Sequence, residues 1–190
     1  MLGKGQKMKR SLIVMAVLMA LTTTANAAVE TGDLDLNFGF NWQSEDGVGT
    51  YPDRDLTEIS FGVDYFVTNR ISLGIAYGYR DSEQNYTSST HTQTETSWAL
   101  RIKYYFLKRE RLLPYVGFAY KLYDAETKLG KASSQSTDDT GTTFMLGLRY
   151  AITERNAAYL EYQLNSYGDK WPNHVDGGNR IAIGLIHQIK

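Results

Sequence analysis

Residues 71–80 read Ile-Ser-Leu-Gly-Ile-Ala-Tyr-Gly-Tyr-Arg, and every second residue from Ile71 to Tyr79 is large and apolar or aromatic. Between them stand Ser72, Gly74, Ala76, Gly78 and Arg80, all small or charged. A period of two is the side-chain repeat of an extended strand, whose successive residues face opposite ways. The partition by size says more than the partition by polarity. On a strand face open to water, glycine only weakens the strand. Inside a narrow barrel, where there is space for little more than side chains, small residues make room for the few large ones. The stretch therefore predicts a barrel strand with its bulky face turned outward, into lipid.

The same alternation recurs eight times. Leu34, Leu36, Phe38, Phe40 and Trp42 oppose Asp35, Asn37, Gly39 and Asn41, and Ile59, Phe61, Val63 and Tyr65 oppose Glu58, Ser60, Gly62 and Asp64. The run at 71–80 is the third. Trp98, Leu100, Ile102, Tyr104 and Phe106 then oppose Ala99, Arg101, Lys103 and Tyr105, and Val116, Phe118, Tyr120 and Leu122 oppose Tyr115, Gly117, Ala119 and Lys121. Phe144, Leu146, Leu148 and Tyr150 oppose Met145, Gly147 and Arg149; Leu160, Tyr162 and Leu164 oppose Glu161 and Gln163. The eighth strand carries Ile181, Ile183, Leu185 and Ile189, with His187 interrupting its apolar face. An even number of strands suits a closed antiparallel barrel. Segments 43–55, 81–95, 123–140 and 166–179 are polar and read as long loops, whereas 68–70, 107–112 and 153–156 read as short turns. Long loops at one end and short turns at the other is how outer-membrane barrels are built. Tyr and Trp collect at strand ends: Trp42, Tyr79, Trp98, Tyr120 and Phe144 at one level, Tyr65, Tyr104, Phe106 and Tyr150 at the other. Amphipathic rings prefer the two interfaces of a bilayer.

Residues 1–27 read as an export signal rather than part of the fold. Lys7, Lys9 and Arg10 precede the apolar run Leu12–Leu21, and Ala25-Asn26-Ala27 supplies small residues at a cleavage site. An apolar run of that length is far short of the ~20 residues a helix needs to span a bilayer. The 190 residues then divide into a cleaved signal, 1–27, and one all-β domain, 28–190, an eight-stranded antiparallel up-and-down transmembrane barrel. With no cysteine, the chain has no disulfide framework, thiolate metal site, cysteine nucleophile or lipoprotein anchor. The formal net charge is −1; losing the four cations of the leader (Lys4, Lys7, Lys9, Arg10) takes it to −5, which argues against nucleic acid as a partner.

Pro114-Tyr115-Val116-Gly117-Phe118, Tyr159-Leu160-Glu161-Tyr162 and Gly184-Leu185-Ile186-His187-Gln188-Ile189 give the chain its resemblance to a known family. It resembles the small eight-stranded outer-membrane proteins, of the outer membrane protein A transmembrane-domain and outer membrane protein X type. The resemblance spans the whole mature chain and specifies fold rather than activity. It implies a monomer in the cell outer membrane of a Gram-negative bacterium, in contact with outer-membrane lipid and lipopolysaccharide and inserted by the barrel-assembly machinery. Members usually end on an aromatic residue that this machinery reads, and here Ile189-Lys190 stand last.

The candidate functional set is the charge expected inside the lumen: Asp35, Glu58, Asp64 and Glu161 against Arg80, Arg101, Lys103, Lys121 and Arg149. Buried charges must pair or meet water, so the first reading is a structural plug. The second is a narrow passive channel for small or apolar solutes, as the similar outer membrane protein W type suggests. The histidines His91, His174 and His187 have no metal-ligand spacing, and no cofactor is expected. A third reading, a lipid-modifying enzyme, rests on Tyr162-Gln163-Leu164-Asn165-Ser166 followed by Pro172-Asn173. That frame loosely resembles the lipid A 3-O-deacylases, but Leu164 stands where the family has its histidine, so Ser166 lacks a base. The sequence thus favours a non-enzymatic barrel acting through surface loops or its presence in the envelope. It also sets a processing test: N-terminal sequencing of protein recovered from membranes should begin Ala28-Val29-Glu30. A mature protein retaining Leu12–Leu21 contradicts the export assignment.

Overall fold

The computed structural model describes residues 29–45, 54–85, 90–106, 111–129, 134–168 and 177–190. These form eight strands: β1 (Leu34–Glu45), β2 (Arg54–Phe66), β3 (Ile71–Asn85), β4 (Thr90–Tyr105), β5 (Leu112–Leu129), β6 (Ser134–Ala151), β7 (Asn156–Tyr167) and β8 (Gly177–Ile189). Each pairs antiparallel with the next in sequence, and β1 pairs β8, so the sheet closes into a barrel. The expected export signal, 1–27, lies outside the described residues, as do the side chain of Trp42 and the whole of His174, Pro172 and Asn173.

Two of the polar segments expected to be long loops, 81–95 and 123–140, are mostly strand, which corrects that reading for them. β3 continues to Asn85 and β4 begins at Thr90, while β5 continues to Leu129 and β6 begins at Ser134. The ladder passes unbroken through this region, with Arg80 opposite Glu95, Asp81 opposite Thr94, and Asp124 opposite Asp138. β1, β2, β7 and β8 likewise take residues from both ends of segments 43–55 and 166–179. The cause is physical. Apolar alternation exists only where one strand face meets lipid; above that band the outward face meets water. There Thr92, Thr94, Thr96, Asp124 and Glu126 replace the bulky residues, while Gln93, Glu95, Tyr123 and Ala125 stay buried on the inward face. Backbone pairing needs no apolar face, and threonine favours strands.

At the opposite end the two fully described turns share one device. Thr68 Oγ1 accepts the backbone N–H groups of Arg70 and Ile71 at 3.1 and 3.0 Å, and Thr153 Oγ1 accepts those of Arg155 and Asn156 at 3.3 and 3.0 Å. A threonine hydroxyl that satisfies local N–H groups fixes a tight reversal without help from the core.

The bulky face is outside all round the barrel. Phe61, Ile75, Phe118, Leu146 and Ile183 are about half exposed, and Leu100 and Trp98 more so. The inward face belongs to Asp35, Asp64, Arg149, Tyr115 and their neighbours, all buried. Inward glycines carry the large lumenal rings. A Cβ at Gly147 would strike the Tyr115 ring, and one at Gly39 or Gly184 would strike Tyr159. Tyr115 and Gly147 are direct cross-strand partners, as are Tyr159 and Gly184, so each ring lies over the bare backbone opposite it.

Adjacent residues on β6 therefore predict two different failures. Leu146→Arg places a cation on the lipid face and should cost about 2–4 kcal/mol near mid-bilayer. Gly147→Leu should impair folding by displacing the Tyr115 ring, a steric rather than an electrostatic failure. Urea titration in lipid vesicles, read by heat-modifiable gel migration, measures both. Tolerance of Leu146→Arg would place β6 the wrong way round.

Candidate functional site

The site is the lumen, which the strands fill from both sides with alternating inward residues. At the turn end Arg149 Nη1 meets Asp35 Oδ2 at 2.5 Å, and its Nη2 donates to Gln188 Oε1 at 3.0 Å. The Gln188 amide nitrogen donates to Asp33 Oδ2. One layer further in, Asp64 gathers three donors: Arg101 Nε at 2.5 Å, Lys103 Nζ at 3.1 Å and Asn37 Nδ2 at 3.1 Å. Glu161 has neutral partners, the Tyr115 hydroxyl donating to Oε2 at 2.8 Å and the Gln163 amide nitrogen donating to Oε1 at 2.5 Å. Near the hairpin end Glu58 pairs with Arg180 and Arg80 pairs with Glu95. The Tyr167 hydroxyl accepts from Arg80 at 3.1 Å and from Arg180 at 3.3 Å, tying those two pairs together.

All nine charged residues read from the sequence thus face inward, but they do not form one mutual network. Asp35 with Arg149, and Asp64 with Arg101 and Lys103, pair within the set. Glu58 and Arg80 instead find Arg180 and Glu95, which sequence reading missed. Glu95 falls in a segment read as loop, and Arg180 precedes the apolar residues of the eighth strand. Carrying the parity of each strand three residues beyond its last bulky side chain would have found both. Lys121 donates to Asn165 Oδ1 at 3.5 Å and forms no ion pair among the described residues.

Aromatic rings close the lumen at both ends. Phe66, Tyr105 and Tyr115 stack in series at the turn end, with centroids 5.4 and 5.2 Å apart, and Tyr123 meets Tyr167 at 5.5 Å near the hairpins. Between them lies a cavity with about 50 Å³ open to the centres of water molecules, reached by Glu58, Arg101, Lys121, Tyr159, Glu161 and Gln163. Arg101 Nη2 and Gln163 Oε1 are buried without a protein partner, so water is the partner they require. The space suits a few waters rather than an organic ligand. Among the described residues no group of His, Asp and Glu is arranged to hold a metal ion. Leu164 and Ser166 both point away from the lumen, and His187 Nδ1 lies 2.9 Å from Asn156 Oδ1 on the outer face.

The sequence pattern of the outer membrane protein beta-barrel domain family matches residues 13–185. Solved structures with the same fold include the N-terminal β-barrel domain of Pseudomonas aeruginosa OprF, at 18% identity and a TM-score of 0.54, covering 84% of this chain and 98% of that one. Ail, the attachment invasion locus protein of Yersinia pestis, aligns at 12% identity and a TM-score of 0.56, covering 83% of this chain and 99% of that one. Neisserial surface protein A aligns at 18% identity and a TM-score of 0.55, covering 82% and 94%. At these identities the likeness is one of fold. A sequence comparison with characterised proteins finds no significant match.

The ion pairs generate a test of their own. Removing one partner of a buried pair leaves an uncompensated charge, at a cost of about 3–5 kcal/mol. Arg149→Met should destabilise the barrel by that order in urea titrations in lipid vesicles. Adding Asp35→Asn to it should recover part of the loss, because the orphaned carboxylate is gone. Equal stability of Arg149→Met and the unaltered protein would mean the pair contributes nothing.

Proposed function

Because this chain belongs to the outer membrane protein beta-barrel family, we propose that it is a non-enzymatic component of the outer membrane whose lumen is shut. On this reading it works through its raised hairpins or its presence in the envelope. The supporting observation is the lumen itself: charge pairs, stacked rings and glycine-seated tyrosines occupy it from mouth to mouth. An eight-stranded barrel has an interior only wide enough for side chains, and here Arg80, Arg101, Arg149 and Arg180 are tied to opposite charges rather than left to swing. The proposal includes export with cleavage after Ala27, insertion by the barrel-assembly machinery, and monomers in contact with lipid and lipopolysaccharide.

One observation favours a second reading, the narrow channel. The polar cavity is bordered by Lys121 and Glu161, whose partners are neutral, and such groups can exchange partners at less cost than a closed ion pair. The enzymatic reading has less support. Leu164 is turned to lipid where a histidine would be needed, and no described residue offers Ser166 a base.

Planar bilayers separate the first two readings. Purified, refolded protein should give no steady single-channel current. Reproducible currents from the unaltered protein, abolished by a bulky substitution at Gly117 beside Met145, would establish the channel instead.

A further inference from the structure

Val29 precedes the first strand, yet it is only 1% exposed. Its side chain forms one cluster with Leu113 and with Phe66, Tyr105 and Tyr115, the rings that close the periplasmic mouth. The chain reaches this position through a sharp turn at Gly32, where φ is +97°. A Cβ at Gly32 would meet nothing within 4 Å, so it is the left-handed backbone and not space that calls for glycine. The turn is pinned by the Gly32 N–H donating to the Phe66 carbonyl and the Phe66 N–H donating to the Asp33 carbonyl, both at 2.9 Å. The Glu30 N–H donates to Asp33 Oδ2 at 2.8 Å, and the same carboxylate takes the Gln188 amide.

We propose that Val29–Asp33 is a stopper. It seals the periplasmic mouth by wedging one valine against the aromatic stack, and it can leave as a unit while the barrel stays closed. Its hold is one apolar side chain and a handful of hydrogen bonds. That places it among segments that open locally without global unfolding. The strands beneath are held by continuous ladders instead. Tyr115 links stopper and cavity, because its ring packs in the Val29 cluster while its hydroxyl holds Glu161 at the cavity wall. Withdrawal of Val29 would bare one side of that ring, leaving the Glu161 hydrogen bond and the Gly147 seat as its remaining holds, and a turn of the ring would then admit water-soluble molecules to the cavity. The inference rests on this packing and stands apart from the role proposed above.

The absence of cysteine gives a clean test. Ala99 lines the cavity, so Ala99→Cys reports access to it through reaction with a charged methanethiosulfonate reagent on refolded protein in detergent micelles. Two changes displace the stopper by different means: Val29→Asp puts a charge in the apolar cluster, and Gly32→Val opposes the left-handed turn. In either background the introduced thiol should react about tenfold faster or more, since labelling follows the open population. Val29→Ile should leave the rate slow. Heat-modifiable migration identifies the preparations in which the barrel is closed. An unchanged rate in whichever of the two variants folds overturns the proposal. So does a thiol at this position that reacts at once when residues 29–33 are unaltered.

Discussion

A peptide group inside hydrocarbon has no water to bond with, and each one left unpaired costs several kcal/mol. In this chain the sheet meets that demand by returning to its own first strand, β8 pairing with β1 from Leu34 opposite Ile189 to Phe40 opposite Ile183. Closure dictates what the side chains must be. Once the strands form a ring, one face of each meets lipid and the other a space too narrow for water alone to fill. Leu, Ile and Phe outside, with glycine inside, then follow as packing requirements rather than as a family habit. The charges follow as well. Arg101, Lys103 and Asp64 are tolerable in the interior because the ring holds them within reach of one another.

Much of this was legible in the sequence because lipid enforces a period of two. Residues 71–80 disclose strand, face and environment together, and the same arithmetic places all nine lumenal charges inward. Legibility failed where the lipid stops. The arms of the β3–β4 and β5–β6 hairpins are as well paired as the strands below, but with water instead of lipid on the outward face both faces carry polar residues, and the contrast that marks a strand is lost. Glu95 was lost with those arms, and Arg80 with it lost its partner. Val29 failed for another reason. A lone valine followed by Glu-Thr-Gly-Asp has no periodicity to read, and its burial depends on a turn at Gly32 and on rings contributed by β2, β4 and β5.

The lumen also illustrates how large and small residues divide the labour in a confined space. Tyr115 and Tyr159 fit only because Gly147, Gly39 and Gly184 lack side chains beneath them. The rings in turn shield backbone that glycine leaves bare, and their hydroxyls bring polar contacts to an otherwise charged interior. A lumen built this way has few positions that tolerate a change of volume, since each ring is fitted to the backbone it covers.

The seam between β1 and β8 has a bearing on the order of events as the barrel forms. It joins strands at opposite ends of the sequence over seven paired residues, whereas β3 and β4 pair over fifteen across a hairpin. Hairpins assemble from contacts a few residues apart, in microseconds; a pairing between first and last strands must wait for the whole chain to come round. The short ladder offers little reward until it is almost complete, so closure is an all-or-none event at the end of assembly. Until that moment two strand edges are bare, and a nascent barrel in that state is open to pairing with any other extended chain nearby.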